Sequence, residues 1–150
     1  MSAGPVVLDA ASDTEALGAA VARALEPGDV VCLWGELGAG KTTLARGLIR
    51  ALMGPEQEAP SPTFTLVQAY DGPRFAIAHL DLYRLSGPEE VRELGLDEAL
   101  EDGAAVIEWP ERLGPALPPD RLDIRLAIEA EGRTARIERH GRWKDRKLEF

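Results

Sequence analysis

Eight consecutive residues, Gly35-Glu36-Leu37-Gly38-Ala39-Gly40-Lys41-Thr42, constrain this chain more than any other stretch. They match G-x-x-x-x-G-K-[ST] at every fixed position. The pattern needs a strand before it and a helix after it, and both are legible. Asp29 to Trp34 is a nearly continuous apolar run, as in a strand covered on both faces. Thr42 to Leu52 places Leu44, Leu48, Ile49 and Leu52 on one helical face. Each fixed residue has a physical task. Glycines let the backbone approach a phosphate closely. Successive N–H groups then form an anion nest, reinforced by the positive end of the helix dipole. Lys41, the only lysine in the first 140 residues, sets a charge against the terminal phosphates. The Thr42 hydroxyl is a hard oxygen suited to Mg²⁺. The motif therefore predicts a cradle for ATP, with Mg²⁺ beside it.

The rest of the chain fits a three-layer α/β P-loop NTPase domain with a mixed central sheet. Val6 to Asp9 reads as a short strand. Ser12 with Glu15 three residues on reads as a capping box opening a helix that Pro27-Gly28 ends. Gly54 to Pro62 is polar and Pro-rich, hence a loop. Phe64 to Tyr70 and Phe75 to Leu82 flank an Asp-Gly turn and predict a β-hairpin. Pro88 to Leu94 and Leu96 to Leu100 are short helical pieces. Ala104 to Trp109 is another buried strand, and Pro110 to Pro119 a loop. Leu122 to Ala130 and Thr134 to Glu138 predict a second hairpin around Glu131-Gly132-Arg133. No repeat or linker divides the 150 residues, so one domain over 1–150 is expected.

Charge narrows the function classes. The net charge is −9, which argues against a chain that grips RNA or DNA by itself. Residues 133–150 are the exception. Arg133, Arg136, Arg139, Arg142, Lys144, Arg146 and Lys147 face three acids there, a local net of +4. The plain reading of this tail is a solvated strand and a frayed terminus. The functional one is a docking patch for an acidic partner or RNA. Met1 to Asp9 lacks the features of a secretory signal, and no apolar run approaches the length that spans a bilayer. A soluble, cytoplasmic protein without membrane partners is expected. Cys32, the single cysteine, lies in the apolar run before the cradle and is expected to be a buried strand residue.

A P-loop needs a carboxylate at the end of a neighbouring strand. Asp81 ends the apolar run from Phe75, and Glu108 ends the run from Ala105. Ligands in such sheets gather at the carboxyl ends of strands, so both acids are candidates to hold Mg²⁺ or orient water. Ser61-Pro62-Thr63 follows a polar loop and presents a hydroxyl, Thr63, in the manner of a switch threonine. His79 shares a strand face with Asp81. It either tunes Asp81 or is a satisfied core histidine, the commoner fate. Trp109 stacks on a loop or a base, or is simply buried.

Four segments together resemble one family. They are Gly35 to Thr43, Ser61-Pro62-Thr63-Phe64-Thr65-Leu66-Val67, His79-Leu80-Asp81-Leu82-Tyr83-Arg84-Leu85 and Glu108-Trp109-Pro110. In order and spacing the chain is similar to the bacterial tRNA threonylcarbamoyladenosine biosynthesis ATPases, the TsaE family. The resemblance spans essentially the whole chain and implies an ATPase of weak activity alone. It implies a partner, a heterodimer of two ASKHA-fold proteins of the TsaB and TsaD type. That partner places threonylcarbamoyl on adenosine 37 of tRNAs reading codons that start with A. Carried over by motif, Leu37 to Thr43 hold phosphate, and Thr42, Asp81 and Glu108 surround Mg²⁺. Lys41, Asp81 and Glu108 form the catalytic set, Trp109 belongs to the Glu108 motif, and Thr63 matches the switch threonine. Contacts to nucleotide near the first helix and the last hairpin turn correspond to Ala11-Ser12 and Gly132-Arg133. Acidic composition then suggests that tRNA is met only indirectly or weakly.

The chemistry expected is in-line attack of water on the γ-phosphate, with the cradle and metal neutralising charge. No arginine-rich lid lies between the motifs, so an arginine finger, if used, would come in trans. Two alternatives stand beside this reading. One is a small-molecule kinase, for which the chain is short of a lid and an acceptor pocket. The other is a non-hydrolytic ATP switch that orders residues 54–65 and controls complex assembly.

Overall fold

The computed structural model describes residues 4–149 apart from Phe64, Ser86 and Pro88. The expected strand start at Phe64 and helix start at Pro88 therefore fall on residues outside those described. The elements run β1 (Val6–Leu8), α1 (Ala11–Ala24), β2 (Val30–Trp34), α2 (Lys41–Met53), β3 (Val67–Asp71), β4 (Ala76–Asp81), α3 (Glu89–Leu94), α4 (Leu96–Asp102), β5 (Gly103–Glu108), β6 (Arg121–Glu129) and β7 (Gly132–His140). Short 3₁₀ segments follow β5 (Pro110–Ala116) and β7 (Gly141–Asp145). The first of these replaces the plain loop expected over 110–119, because Pro110 at the start of the turn favours a helical φ.

The seven strands form one mixed sheet in the order β1-β7-β6-β2-β5-β4-β3. β2 pairs in parallel with both β5 and β6, and β5 in parallel with β4. β3/β4 and β6/β7 are the two antiparallel hairpins anticipated from their turn residues. Central strands are covered on both faces, and their alternation shows it. Val31, Leu33 and Val106 join Leu17, Val21, Leu44 and Leu48 in the core under α1 and α2. Val30, Cys32, Ala105 and Ile107 join Leu82, Leu96 and Leu113 in the core on the opposite face. This is the expected three-layer arrangement, and Cys32 is fully buried in it.

The two helices of the first layer meet through glycines. A methyl group at Gly18 would overlap the carbonyl oxygen of Leu44, and one at Gly47 that of Glu15. Hydrogen side chains here let α1 and α2 approach backbone to backbone, which fixes where α2 begins beneath the cradle. The cap of α1 differs from expectation. Ser12 lies inside the first turn, and Asp13 accepts the Ala10 N–H at 3.0 Å. Ala10 is the N-cap, so Asp13 falls at the third helical position, from which a carboxylate reaches back to the cap N–H.

The basic tail is not frayed. Trp143 is fully buried in the 3₁₀ segment after β7. Arg146 pairs with the buried Asp29 and, at 2.7 Å, with Glu26. Arg142 Nε lies 3.4 Å from the same Asp29. The tail's charge is thus partly spent on anchoring it beneath β2. Among the described residues no helix is long and apolar enough to cross a membrane.

Candidate nucleotide site

Strand order brings the expected residues together. β5 lies between β2, which feeds the cradle, and β4, so the ends of three parallel strands converge. Asp81 and Glu108 are direct register partners, and Glu108 also lies opposite Leu33 of β2. Both acids are nearly buried, 5% and 2% exposed. Gly40 caps α2 at φ 106°, a left-handed backbone that favours glycine, and its carbonyl accepts the Leu44 N–H at 2.9 Å. The first turn of α2 therefore opens directly onto the acids.

The hydrogen bonds tie this cluster into two arms. Thr42 Oγ1 donates to Glu108 Oε1 at 2.9 Å. Thr63 Oγ1 donates to Asp81 Oδ2 at 3.2 Å, and the Tyr83 N–H to Asp81 Oδ1 at 3.0 Å. Ser61 Oγ lies 2.6 Å from Thr63 Oγ1. Lys41 is 5% exposed. Its ammonium donates to the carbonyls of Gly35 and, at 3.1 Å, Glu36, and sits 3.8 Å from the centroid of the Trp109 ring. Trp109 itself has φ 59°, an uncommon conformation for a bulky residue, and its ring meets Tyr83 at 4.9 Å. Burial holds the Lys41 pKa below the usual lysine value, opposed by the carboxylates of Glu108, Glu111, Asp81 and Glu36.

Two clefts flank the loop. One, of about 250 Å³, is lined by Leu37 to Thr43 with Thr63, Asp81, Glu108 and Trp109. The other, of about 210 Å³, is lined by Leu8 to Ala11, Thr14, Gly38, Gly40, Thr43, Gly132 and Arg133. They share Gly38, Gly40 and Thr43, so they join around the loop. Arg133 Nε donates to the Gly38 carbonyl at 3.1 Å and links the last hairpin to the cradle. Of the residues anticipated for the site, Leu37 to Thr43, Thr63, Asp81, Glu108, Trp109, Ala11, Gly132 and Arg133 line one cleft or the other, while Ser12, Gly35 and Glu36 line neither. The donor set suits Mg²⁺, since a hydroxyl and two carboxylates are hard oxygens. A polar nest joined to a second, hairpin-walled cleft suits a nucleoside triphosphate.

Leu8, Asp9 and Ala10 also line the second cleft without having been anticipated, and two further features escaped the sequence reading. Thr14, one turn beyond Ala11, walls the second cleft; its i, i+3 spacing from Ala11 is the signal that could have found it. His79 is neither a tuner of Asp81 nor a satisfied core histidine. Its Nε2 lies 2.7 Å from Glu108 Oε2, across the sheet, and its Nδ1 is buried without a partner.

Comparison with known proteins identifies the family. The family model described as "Threonylcarbamoyl adenosine biosynthesis protein TsaE" matches residues 8–137. A protein of Streptomyces coelicolor named "tRNA threonylcarbamoyladenosine biosynthesis protein TsaE" is 45% identical over 129 residues, covering 83% of this chain and 84% of its own. One of the same name from Treponema pallidum is 43% identical over 123 residues, covering 81% and 90%. A crystal structure of YdiB from Bacillus subtilis superposes with a TM-score of 0.77 at 30% identity, covering 96% of this chain and 91% of that one. A P-loop cradle, two register-paired acids and family-wide similarity over most of the sequence lead to one conclusion: the chain belongs to the TsaE family.

Proposed function

We propose that the chain is a Mg²⁺-dependent ATPase of tRNA threonylcarbamoyladenosine biosynthesis, weakly active alone. It acts on a transferase heterodimer of the TsaB and TsaD type, which modifies adenosine 37 of tRNAs reading codons that start with A. The observation that carries this reading is the 2.9 Å bond from Thr42 to Glu108 with Asp81 paired beside it, at the mouth of the cradle. The N–H groups of the loop and first turn of α2 bind phosphate oxygens, and Lys41 trades its carbonyl contacts for the terminal phosphates. Thr42, Asp81 and Glu108 would hold Mg²⁺, which when bound neutralises charge on the phosphates. One of the two acids orients the attacking water; Lys41 and the loop stabilise the charge that develops. Base and ribose fit the second cleft, against Ala11, Gly132 and Arg133.

ATP turnover measured with and without the heterodimer tests the reading. Stimulation by the heterodimer is expected, and indifference to it contradicts the partner assignment. The Thr63–Asp81 bond also supports a switch role, since it couples the 54–65 segment to the acid that meets the metal. Complex formation equal in ATP and in a non-hydrolysable analogue would favour a switch over a motor.

A further inference from the structure

We infer that His79 is a positioning residue that fixes which oxygen of Glu108 faces the metal and nucleotide. The inference rests on the Mg²⁺–ATP reading of the site. Glu108 is 2% exposed, and its two carboxylate oxygens have separate partners. Oε1 accepts from Thr42 at the cradle, and Oε2 contacts His79 Nε2 at 2.7 Å. An ionised carboxylate only accepts, so Nε2 carries the hydrogen. Among the described residues, His79 is the one side chain within ion-pair distance of Glu108.

The placement follows from register. His79 pairs with Val106, while Glu108 pairs with Asp81. The imidazole thus sits two residues behind the acids, on the same face of the sheet, and reaches Glu108 along the diagonal between neighbouring strands. It grips the carboxylate from the rear and leaves the forward oxygen to Thr42.

Packing alone does not account for a histidine at this position. The ring is fully buried, and its Nδ1 finds no hydrogen-bond partner. An apolar side chain would avoid that orphaned nitrogen. The bond to Glu108 is the polar contact that the imidazole makes. Loss of a partner that orients a ligating group typically costs about 10- to 100-fold in metal affinity.

The test is isothermal titration of ATP into the full chain at a series of magnesium concentrations, on wild type, His79→Leu, His79→Gln and His79→Asn. The glutamine amide nitrogen can occupy the place of Nε2; that of asparagine is too short to reach it. His79→Leu should raise the magnesium half-saturation about 10- to 100-fold. ATP affinity without magnesium should stay within about threefold, because loop and Lys41 contacts are untouched. His79→Gln should recover most of the loss and His79→Asn should not, a contrast that holds even if the leucine variant does not fold. An unchanged half-saturation in His79→Leu, or glutamine and asparagine behaving alike, overturns the role of His79. Wild-type binding indifferent to magnesium instead overturns the Mg²⁺–ATP reading itself.

Discussion

Thr42 and Glu108, 66 residues apart in sequence, share a 2.9 Å hydrogen bond that joins the first turn of α2 to the end of β5. The bond exists because β5 lies directly beside β2, so the strand that ends in the acid finishes next to the loop that starts the helix. It ties the phosphate cradle and the acidic cluster into one site.

Lys41 should make ATP affinity sensitive to alkaline pH. Burial lowers its pKa below 10.5. Charge on the ammonium is present below the lowered value and is lost as pH rises through it. Affinity should therefore be level near neutrality and begin to fall at a lower pH than an ordinary lysine dictates. Lys41→Met should weaken binding about tenfold or more at neutral pH and remove the alkaline decline. Titrations of ATP between neutral and alkaline pH check both.

Gly47→Ala should destabilise the fold by about 1–3 kcal/mol, because the new methyl meets the Glu15 carbonyl across the helix contact. Helix propensity alone favours alanine, so a gain in melting temperature would contradict the close approach.

Arg146→Met should cost about 3 kcal/mol, lowering the melting temperature by about 6–12 °C. Asp29 is fully buried and would keep only the more distant, half-exposed Arg142 as an ion-pair partner. Thermal denaturation of Lys147→Met, whose partner Glu149 is exposed, supplies the control; that change should be within about 0.5 kcal/mol of wild type.

Cys32 should resist thiol reagents until the protein unfolds. Burial raises the thiol pKa far above its usual value, with the Asp123 carboxylate adding to the rise and Arg121 opposing it. The folded state then holds its proton more tightly than the unfolded one. Stability should accordingly be full below about pH 8.5 and decline above it, by up to about 1.4 kcal/mol per pH unit. Cys32→Ala should flatten that decline in denaturant titrations.

Much of this was legible in the sequence, for local reasons. The glycine loop, the apolar β2 and β5, and both hairpins each announce themselves within ten or so residues. Asp81 and Glu108 were found because an acid at the end of an apolar run is itself a local pattern. What stayed hidden depends on strand order. Nothing near His79 says that its strand lies beside the one ending in Glu108, so its partner could not be named. The tail was read only in part for the same reason: Arg136, Arg139, Lys144 and Lys147 are exposed as expected, but the terminus is anchored rather than frayed. Its arginines look solvated in sequence, yet Arg146 meets Asp29 across 117 residues. The cap of α1 slipped because Ser12, Asp13 and Glu15 compete within one turn.

Glu108, bonded to Thr42, serves turnover through the metal, while the loop and Lys41 hold the nucleotide itself. ATP hydrolysis and ATP affinity, measured on the same preparations of wild type and Glu108→Ala with magnesium present, test this division most directly. At saturating magnesium, Glu108→Ala should abolish turnover and leave ATP affinity within a few-fold. Undiminished hydrolysis by Glu108→Ala would contradict the assignment.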